Sequence, residues 1–350
     1  MHRSRSRASE ANWQQALAEA CRDPGELLQQ LGLDPRLADL PASVCRDFPL
    51  RVPQSFIARM RPGDPDDPLL RQVLPLASEA RAVPGYVADP LAERSAARGP
   101  GLLQKYRGRA LLIVTAACAV HCRYCFRRAF PYQQQRASGR QAQAVLAELR
   151  ADASIEEIIL SGGDPLSLSD ARLGWWLTEL QRLPQLRRLR IHTRLPVVLP
   201  SRVTAELLAM IAACRRPLVI VLHVNHAQEL DTATITALRR LRSSGATLLN
   251  QAVLLAGVND SVAALCELSE RLFAAGVLPY YLHLLDPVAG AAHFELPLAR
   301  AQALMGEVAA RLPGYLVPRL VREIPGAAAK TSVEFAVHKA GPSHNQNRVT

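Results

Sequence analysis

After Gly101 the chain alternates short apolar runs with amphipathic stretches. The runs begin near Leu111 (LLIVT), Glu156 (EEIIL), Leu189 (LRIHT), Leu218 (LVIVLHV), Thr247 (TLLNQAVLL) and Tyr280 (YYLHLL). Between them Ala142, Val145, Leu146 and Leu149 recur at helical spacing, as do Val203, Leu207, Leu208 and Ile211. A third helix is predicted to be capped by Asp260 and to continue through Leu265, Leu268 and Leu272. Six strands, each followed by a helix and starting about 30–45 residues apart, predict an α/β fold. A parallel barrel and an open sheet both suit that rhythm. In either, functional residues are expected at the C-terminal ends of the strands.

Residues 1–100 lack this rhythm. Trp13, Ala16, Leu17 and Ala20 lie at helical spacing, but nine prolines fall between Pro49 and Pro100 and break up any long helix. The expected organisation is a helical, Pro-rich wrapping segment over 1–100, a βα core over 101–335 and a polar tail over 336–350.

Composition narrows the function classes. At 49% hydrophobic and 21% charged over 350 residues, the chain reads as globular. Its longest apolar stretch, Ala110 to Val120, has about half the ~20 residues of a membrane span, so no membrane association is expected. The basic opening residues are followed by polar Glu10, Asn12 and Gln14, unlike a signal peptide, so the cytoplasm is the expected compartment. Lys+Arg exceeds Asp+Glu by 42 to 31. Only Lys105, Lys330 and Lys339 are lysines, a bias better explained by genomic composition than by a nucleic-acid surface.

The cysteines carry the first chemistry. Cys118, Cys122 and Cys125 form C-x3-C-x2-C directly after the first predicted strand. Three thiolates on one loop suit zinc or an iron–sulfur cluster. A closed zinc site needs a fourth ligand; no second CxxC exists, and His121 has little loop with which to turn inward. Three ligands on a four-iron cluster would leave one iron open. The second strand runs into Ser161-Gly162-Gly163-Asp164-Pro165, where paired glycines allow close backbone approach and the acid can accept from an ammonium. Near the end, Lys330 follows a small-residue loop, where an amine could form a Schiff base with pyridoxal phosphate. Lys105 precedes the first predicted strand, and Lys339 lies in the tail.

With its position after a strand, the cysteine motif resembles that of the radical S-adenosylmethionine superfamily. The resemblance implies a partial (β/α)6 TIM-like barrel, a [4Fe-4S] cluster on Cys118, Cys122 and Cys125, and S-adenosylmethionine chelated by the open iron. Gly162, Gly163 and Asp164 then resemble the glycine-rich motif at the methionine amino group, and His223 and Gln251 resemble polar contacts to the same cofactor. The segment Glu323-Ile-Pro-Gly326-Ala-Ala-Ala-Lys330 is similar to the pyridoxal phosphate region of lysine 2,3-aminomutases, with Lys330 on the Schiff-base position. By the same resemblance Arg109 and Tyr106 hold the cofactor phosphate, and Arg127 clamps the substrate carboxylate. Asp286 and Glu323 receive the side-chain ammonium, Glu323 standing where the catabolic enzymes have Asp.

Asp23-Pro-Gly-Glu-Leu-Leu, Arg51-Val-Pro-Gln-Ser-Phe-Ile, Gly63-Asp-Pro-Asp-Asp-Pro, Pro100-Gly-Leu-Leu and Tyr281-Leu-His-Leu-Leu-Asp286 resemble the elongation factor P-type members of that family. The chain also stops twenty residues after Lys330, whereas catabolic members carry a longer extension. The resemblance implies isomerisation of free L-lysine to β-lysine, the nitrogen moving from C2 to C3. It further implies an electron donor of flavodoxin or ferredoxin type, a downstream ligase that attaches the product to elongation factor P, and no nucleic-acid partner; a homo-oligomer is left open. Alternatives are a catabolic or glutamate aminomutase, a radical enzyme without pyridoxal phosphate, and a zinc-containing nucleic-acid-binding protein.

Overall fold

Among the described residues ten strands form one sheet in which spatial order follows chain order. They are β1 (Ala97–Gly99), β2 (Leu102–Tyr106), β3 (Arg109–Thr115), β4 (Glu157–Gly162), β5 (Arg188–Thr193), β6 (Leu218–Leu222), β7 (Thr247–Val253), β8 (Leu278–His283), β9 (Arg319–Arg322) and β10 (Thr331–Ser332). Neighbours from β3 to β9 run parallel. β1–β2–β3 and β9–β10 are antiparallel. The structure, a computed structural model, describes residues 13–38, 40–132, 136–137 and 139–337. The basic opening residues and most of the expected tail, Lys339 included, lie outside the described residues.

All six expected strands form, as β3 to β8, and a helix follows each: α1 (Arg140–Ala151), α2 (Asp170–Gln181), α3 (Ala205–Ala212), α4 (Thr232–Ser243), α5 (Val262–Ala274) and α6 (Leu298–Arg311). A (β/α)6 arrangement results, with β1 and β10 at opposite ends of the sheet order. β4 is buried on both faces, all six of its residues included, because helices cover one side and the interior fills the other, whereas β5 alternates and turns Arg190 and His192 to the cavity. The helices bury the stripes their spacing predicts, Ala142, Val145, Leu146 and Leu149 on α1 and Leu265, Leu268 and Leu272 on α5.

Asp260 does not cap α5. Ser261 does, its Oγ accepting from the Ala264 amide at 3.2 Å, while Asp260 accepts from the Gly257 amide in the preceding turn at 3.0 Å. Aspartate and serine are equally good caps, so the pair is ambiguous until the turn engages one of them.

The N-terminal residues pack into the same core as the sheet: Trp13, Leu27, Leu28, Val52, Phe56, Leu69 and Leu70 are all buried there. Each full burial contributes on the order of 1.5–3 kcal/mol, which anchors a segment with little regular structure. Its short helices Pro24–Gln30 and Pro68–Arg71 start with proline and are capped by Asp23 and Asp67. Polar straps fix it across the C-terminal strand ends, with Ser55 donating to the Val198 carbonyl at 2.6 Å and Arg59 to Val197 at 2.7 Å.

The β1–β2 pair was not expected. β2 and β3 join through a two-residue turn, Arg107-Gly108, with Tyr106 opposite Arg109 and Gly108 at φ +76°. This hairpin brings Lys105 alongside the barrel mouth, on a strand rather than in a connecting loop.

Candidate active site

A cavity of about 570 Å³ opens at the C-terminal strand ends, and every one of the fourteen candidate residues lines it. The cysteine loop leaves β3 and crosses under the loop after β4. The Gly163 amide donates to the Thr115 carbonyl at 2.9 Å and the Asp164 amide to Ala117 at 2.8 Å. A Cβ on Gly162 would lie 2.3 Å from the Thr115 oxygen, and one on Gly163 2.3 Å from that of Ala117. The close approach these glycines permit is therefore to the cysteine loop itself.

His121 turns away from the thiols. Its Nδ1 bonds the Pro49 carbonyl at 2.8 Å and its ring stacks on Phe48 at 5.1 Å. Burial pushes the Cys118 thiol well up and that of Cys125 to about 11, and the neighbouring cysteines add to both shifts. Three thiolates gathered here thus call for a cationic centre. Among the described residues, no three His, Cys, Asp or Glu side chains are arranged to hold a single metal ion. With His121 turned away, the three thiols form a sulfur donor set of the kind that suits an iron–sulfur cluster.

Arg194, which carries no motif, enters this end of the cavity. Its Nη1 donates to Cys122 Sγ at 2.8 Å and to the Tyr124 hydroxyl at 2.7 Å, and its Nη2 to Gln72 at 2.6 Å and Glu229 at 2.9 Å. His223 meets the Tyr124 hydroxyl at 2.8 Å. Burial and then Arg194 press the His223 imidazole down to about 3, so it is neutral. The Gln251 carbonyl bonds the same ring, so both residues stand at one place on the wall.

Asp164, the expected acceptor for an ammonium, binds its own loop and the next. Oδ1 accepts from the Leu166 amide at 3.0 Å and the Thr193 hydroxyl at 2.7 Å, and Oδ2 from the amides of Arg194 at 2.7 Å and Leu195 at 2.9 Å. A carboxylate has about four acceptor sites, and here all four are taken by the loops it pins.

At the other end Lys330 lies 2.6 Å from Glu323 Oε2. Lys105 lies 2.8 Å from Glu323 Oε1 and 3.1 Å from Glu93. Burial alone would raise Glu323, but Lys330 and then Lys105 reverse this and hold it at about 2. Asp286 has no such partner; burial and then the Glu323 charge raise it to about 7. Arg127 reaches Glu93 through Nε at 2.6 Å and Nη2 at 2.8 Å, and Ser161 through Nη1 at 3.0 Å. Nη1 also reaches the Gly162 carbonyl at 3.5 Å, so of its five N–H donors the second on Nη2 is left for a further carboxylate. Arg109 stacks on Tyr106 at 4.6 Å, and its buried Nε has no partner. A cation so placed suits an anionic group such as a phosphate.

Glu93, Lys105 and Arg194 line the same cavity and were absent from the expected set. The apolar Leu102-Leu103 pair and the Arg107-Gly108 turn that joins this run to the next strand were the available signal for Lys105.

The chain matches the radical SAM superfamily over residues 112–268. It is similar to the L-lysine 2,3-aminomutase of Escherichia coli K12, 47% identical over 332 residues, which are 95% of this chain and 97% of that one. The L-lysine 2,3-aminomutase of Haemophilus influenzae is 44% identical over 92% of this chain and 95% of its own length. That of Clostridium subterminale is 33% identical over 83% of this chain and 70% of its own.

Proposed function

The chain belongs to the L-lysine 2,3-aminomutase family of the radical SAM superfamily, and on that premise we propose that it converts free L-α-lysine to β-lysine with pyridoxal phosphate bound at Lys330. It is thus an isomerase, and its superfamily implies a [4Fe-4S] cluster and S-adenosylmethionine. One observation carries the function: a single cavity is shared by the cysteine triad, Lys330, Arg109 with its unpaired Nε, and the acidic pair.

In this reading Cys118, Cys122 and Cys125 hold the cluster. The Gly162-Gly163 backbone, His223 and Gln251 wall the S-adenosylmethionine, with Asp164 shaping the loop rather than touching the ligand. Arg109 and Tyr106 take the pyridoxal phosphate group at its phosphate. When bound, the cluster and S-adenosylmethionine supply a carbon-centred radical, and pyridoxal phosphate supplies a conjugated ring that delocalises unpaired electron density. The chain supplies position. Arg127 fixes the lysine carboxylate, and Asp286 with Glu323 fixes its ε-ammonium, so that C2 and C3 are held between two anchored ends. Neutral His223 adds no charge to a cavity already crowded with cations.

The elongation factor P link is supported by the N-terminal motifs, whose Asp23 and Asp67 cap helices packed into the common core. β-Lysine would pass to a ligase that attaches it to elongation factor P, and a flavodoxin- or ferredoxin-like protein would supply the electron. All seven cysteines are free, in keeping with a reducing compartment such as the cytoplasm. No helix among the described residues is long and apolar enough to cross a membrane.

Borohydride reduction of the pyridoxal phosphate-loaded protein, followed by peptide mapping, tests the cofactor. The label is expected on Lys330; a label elsewhere, or none, contradicts the assignment. Coupling to elongation factor P and its ligase tests the pathway: a β-lysyl mass gain on the factor is expected, and free β-lysine that the ligase ignores would point to a catabolic role.

A further inference from the structure

Five side chains from separate parts of the chain line up across the cavity in alternating charge. Arg127 pairs with Glu93 at 2.6 and 2.8 Å, Glu93 with Lys105 at 3.1 Å, Lys105 with Glu323 at 2.8 Å, and Glu323 with Lys330 at 2.6 Å. Arg127 comes from the cysteine loop, Glu93 from the segment before β1, Lys105 from β2, and Glu323 follows β9. The middle members are well enclosed, Glu93 at 2% and Lys105 at 20% side-chain exposure. Resting on the proposed roles of Arg127 and Glu323 as the two ends of the substrate site, we infer that the Glu93–Lys105 ion pair is a spacer that fixes their separation and thereby selects the length of the amino-acid substrate.

Two features of the geometry support a positioning role rather than a filling one. Glu93 binds Arg127 through both carboxylate oxygens, which orients the guanidinium and leaves an N–H on Nη2 for the substrate carboxylate. Lys105 holds Glu323 by Oε1 only, and Oε2 is held by Lys330. Oε1 stays tied to Lys105 whichever way Lys330 turns, so Oε2 can take up an incoming ammonium when Lys330 moves aside. The spacer thus keeps Glu323 aimed after its other partner has left. A buried ion pair of this kind keeps its geometry because breaking it leaves an unpaired charge. An amino acid one methylene shorter than lysine would reach only one of the two anchored ends.

The test uses the pyridoxal phosphate-loaded protein without S-adenosylmethionine or reductant. The absorbance change of the bound cofactor is titrated with lysine and with ornithine, giving a dissociation constant for each. Glu93→Gln, which keeps shape, and Lys105→Met, which keeps length, are both expected to shrink the preference for lysine over ornithine by about tenfold, the scale of discrimination for one methylene. Lys105→Arg, which keeps the charge and both partners, is expected to retain the preference. A merely structural role would weaken both ligands in parallel; an unchanged ratio in Glu93→Gln, the variant least able to disturb folding, overturns the spacer alone. A wild-type cofactor spectrum that responds to neither amino acid overturns the substrate reading, and the spacer with it.

Discussion

Lys330 Nζ lies 2.6 Å from Glu323 Oε2, across a turn that carries Gly326 at φ +80°. The same carboxylate meets Lys105 through its other oxygen, so one acid is held between two of the three lysines in the chain. That arrangement keeps Glu323 ionised and keeps Lys330 at the cavity rather than in solvent. It also makes the acid end of the site a structural element in its own right, with measurable consequences.

Glu323 sits at about 2 in the folded protein, below the value of about 4.3 for an unfolded glutamate. Its contribution to stability is therefore complete above about pH 4.3 and is lost as pH falls through 2. Glu323→Gln is expected to cost about 1.5–3 kcal/mol in urea unfolding at pH 7 and to flatten the acid limb between pH 4 and 2. An unchanged acid limb would contradict the double ion pair.

Asp286 is shifted the other way, to about 7. The unfolded chain gives up this proton near 3.9 and the folded chain only near 7, so this group makes stability fall as pH rises between those values. Asp286→Asn is expected to raise the urea midpoint at pH 8. Lysine affinity of the wild type should strengthen as pH rises through 7, and the variant should lose that dependence. Calorimetric titration of lysine from pH 6 to 8.5 checks both.

Gly163→Ala is expected to cost about 1–3 kcal/mol, because its Cβ would lie 2.3 Å from the Ala117 carbonyl and the cysteine loop must shift. Iron content after anaerobic reconstitution should fall with it. Full iron loading in this variant would show that the loop tolerates the displacement.

Arg194→Met leaves Glu229 buried without its cation and is expected to destabilise by about 3–5 kcal/mol. The double variant with Glu229→Gln should recover part of that loss. Urea midpoints of the wild type, both single variants and the double variant give the coupling, and purely additive effects would argue against a shared network.

The barrel and the cysteine triad were legible because each is encoded locally. Period and run length set β3 to β8, and Cys118, Cys122 and Cys125 fall within eight residues. The charge network was not, because its partners are far apart in the chain. Lys105 and Glu323 are separated by 218 positions, Arg194 and Cys122 by 72, and Glu93 and Arg127 by 34. A lone charged residue carries no spacing signal, so only the fold reveals its partner. Asp164 shows the converse: the motif located it in the cavity wall, but the four bonds that occupy its carboxylate come from loops on β4 and β5. The β2–β3 hairpin lay between these cases, with a short apolar pair and a Gly108 turn as its local signal.

The most direct test is an anaerobic assay of the iron-reconstituted protein with pyridoxal phosphate, S-adenosylmethionine, dithionite and L-lysine, with β-lysine resolved by chromatography. Product is expected from the wild type and is expected to vanish in both Lys330→Ala and Cys122→Ala. Absence of β-lysine from a wild-type protein that carries its cluster and its pyridoxal phosphate, or full activity in Lys330→Ala, would contradict the proposed chemistry.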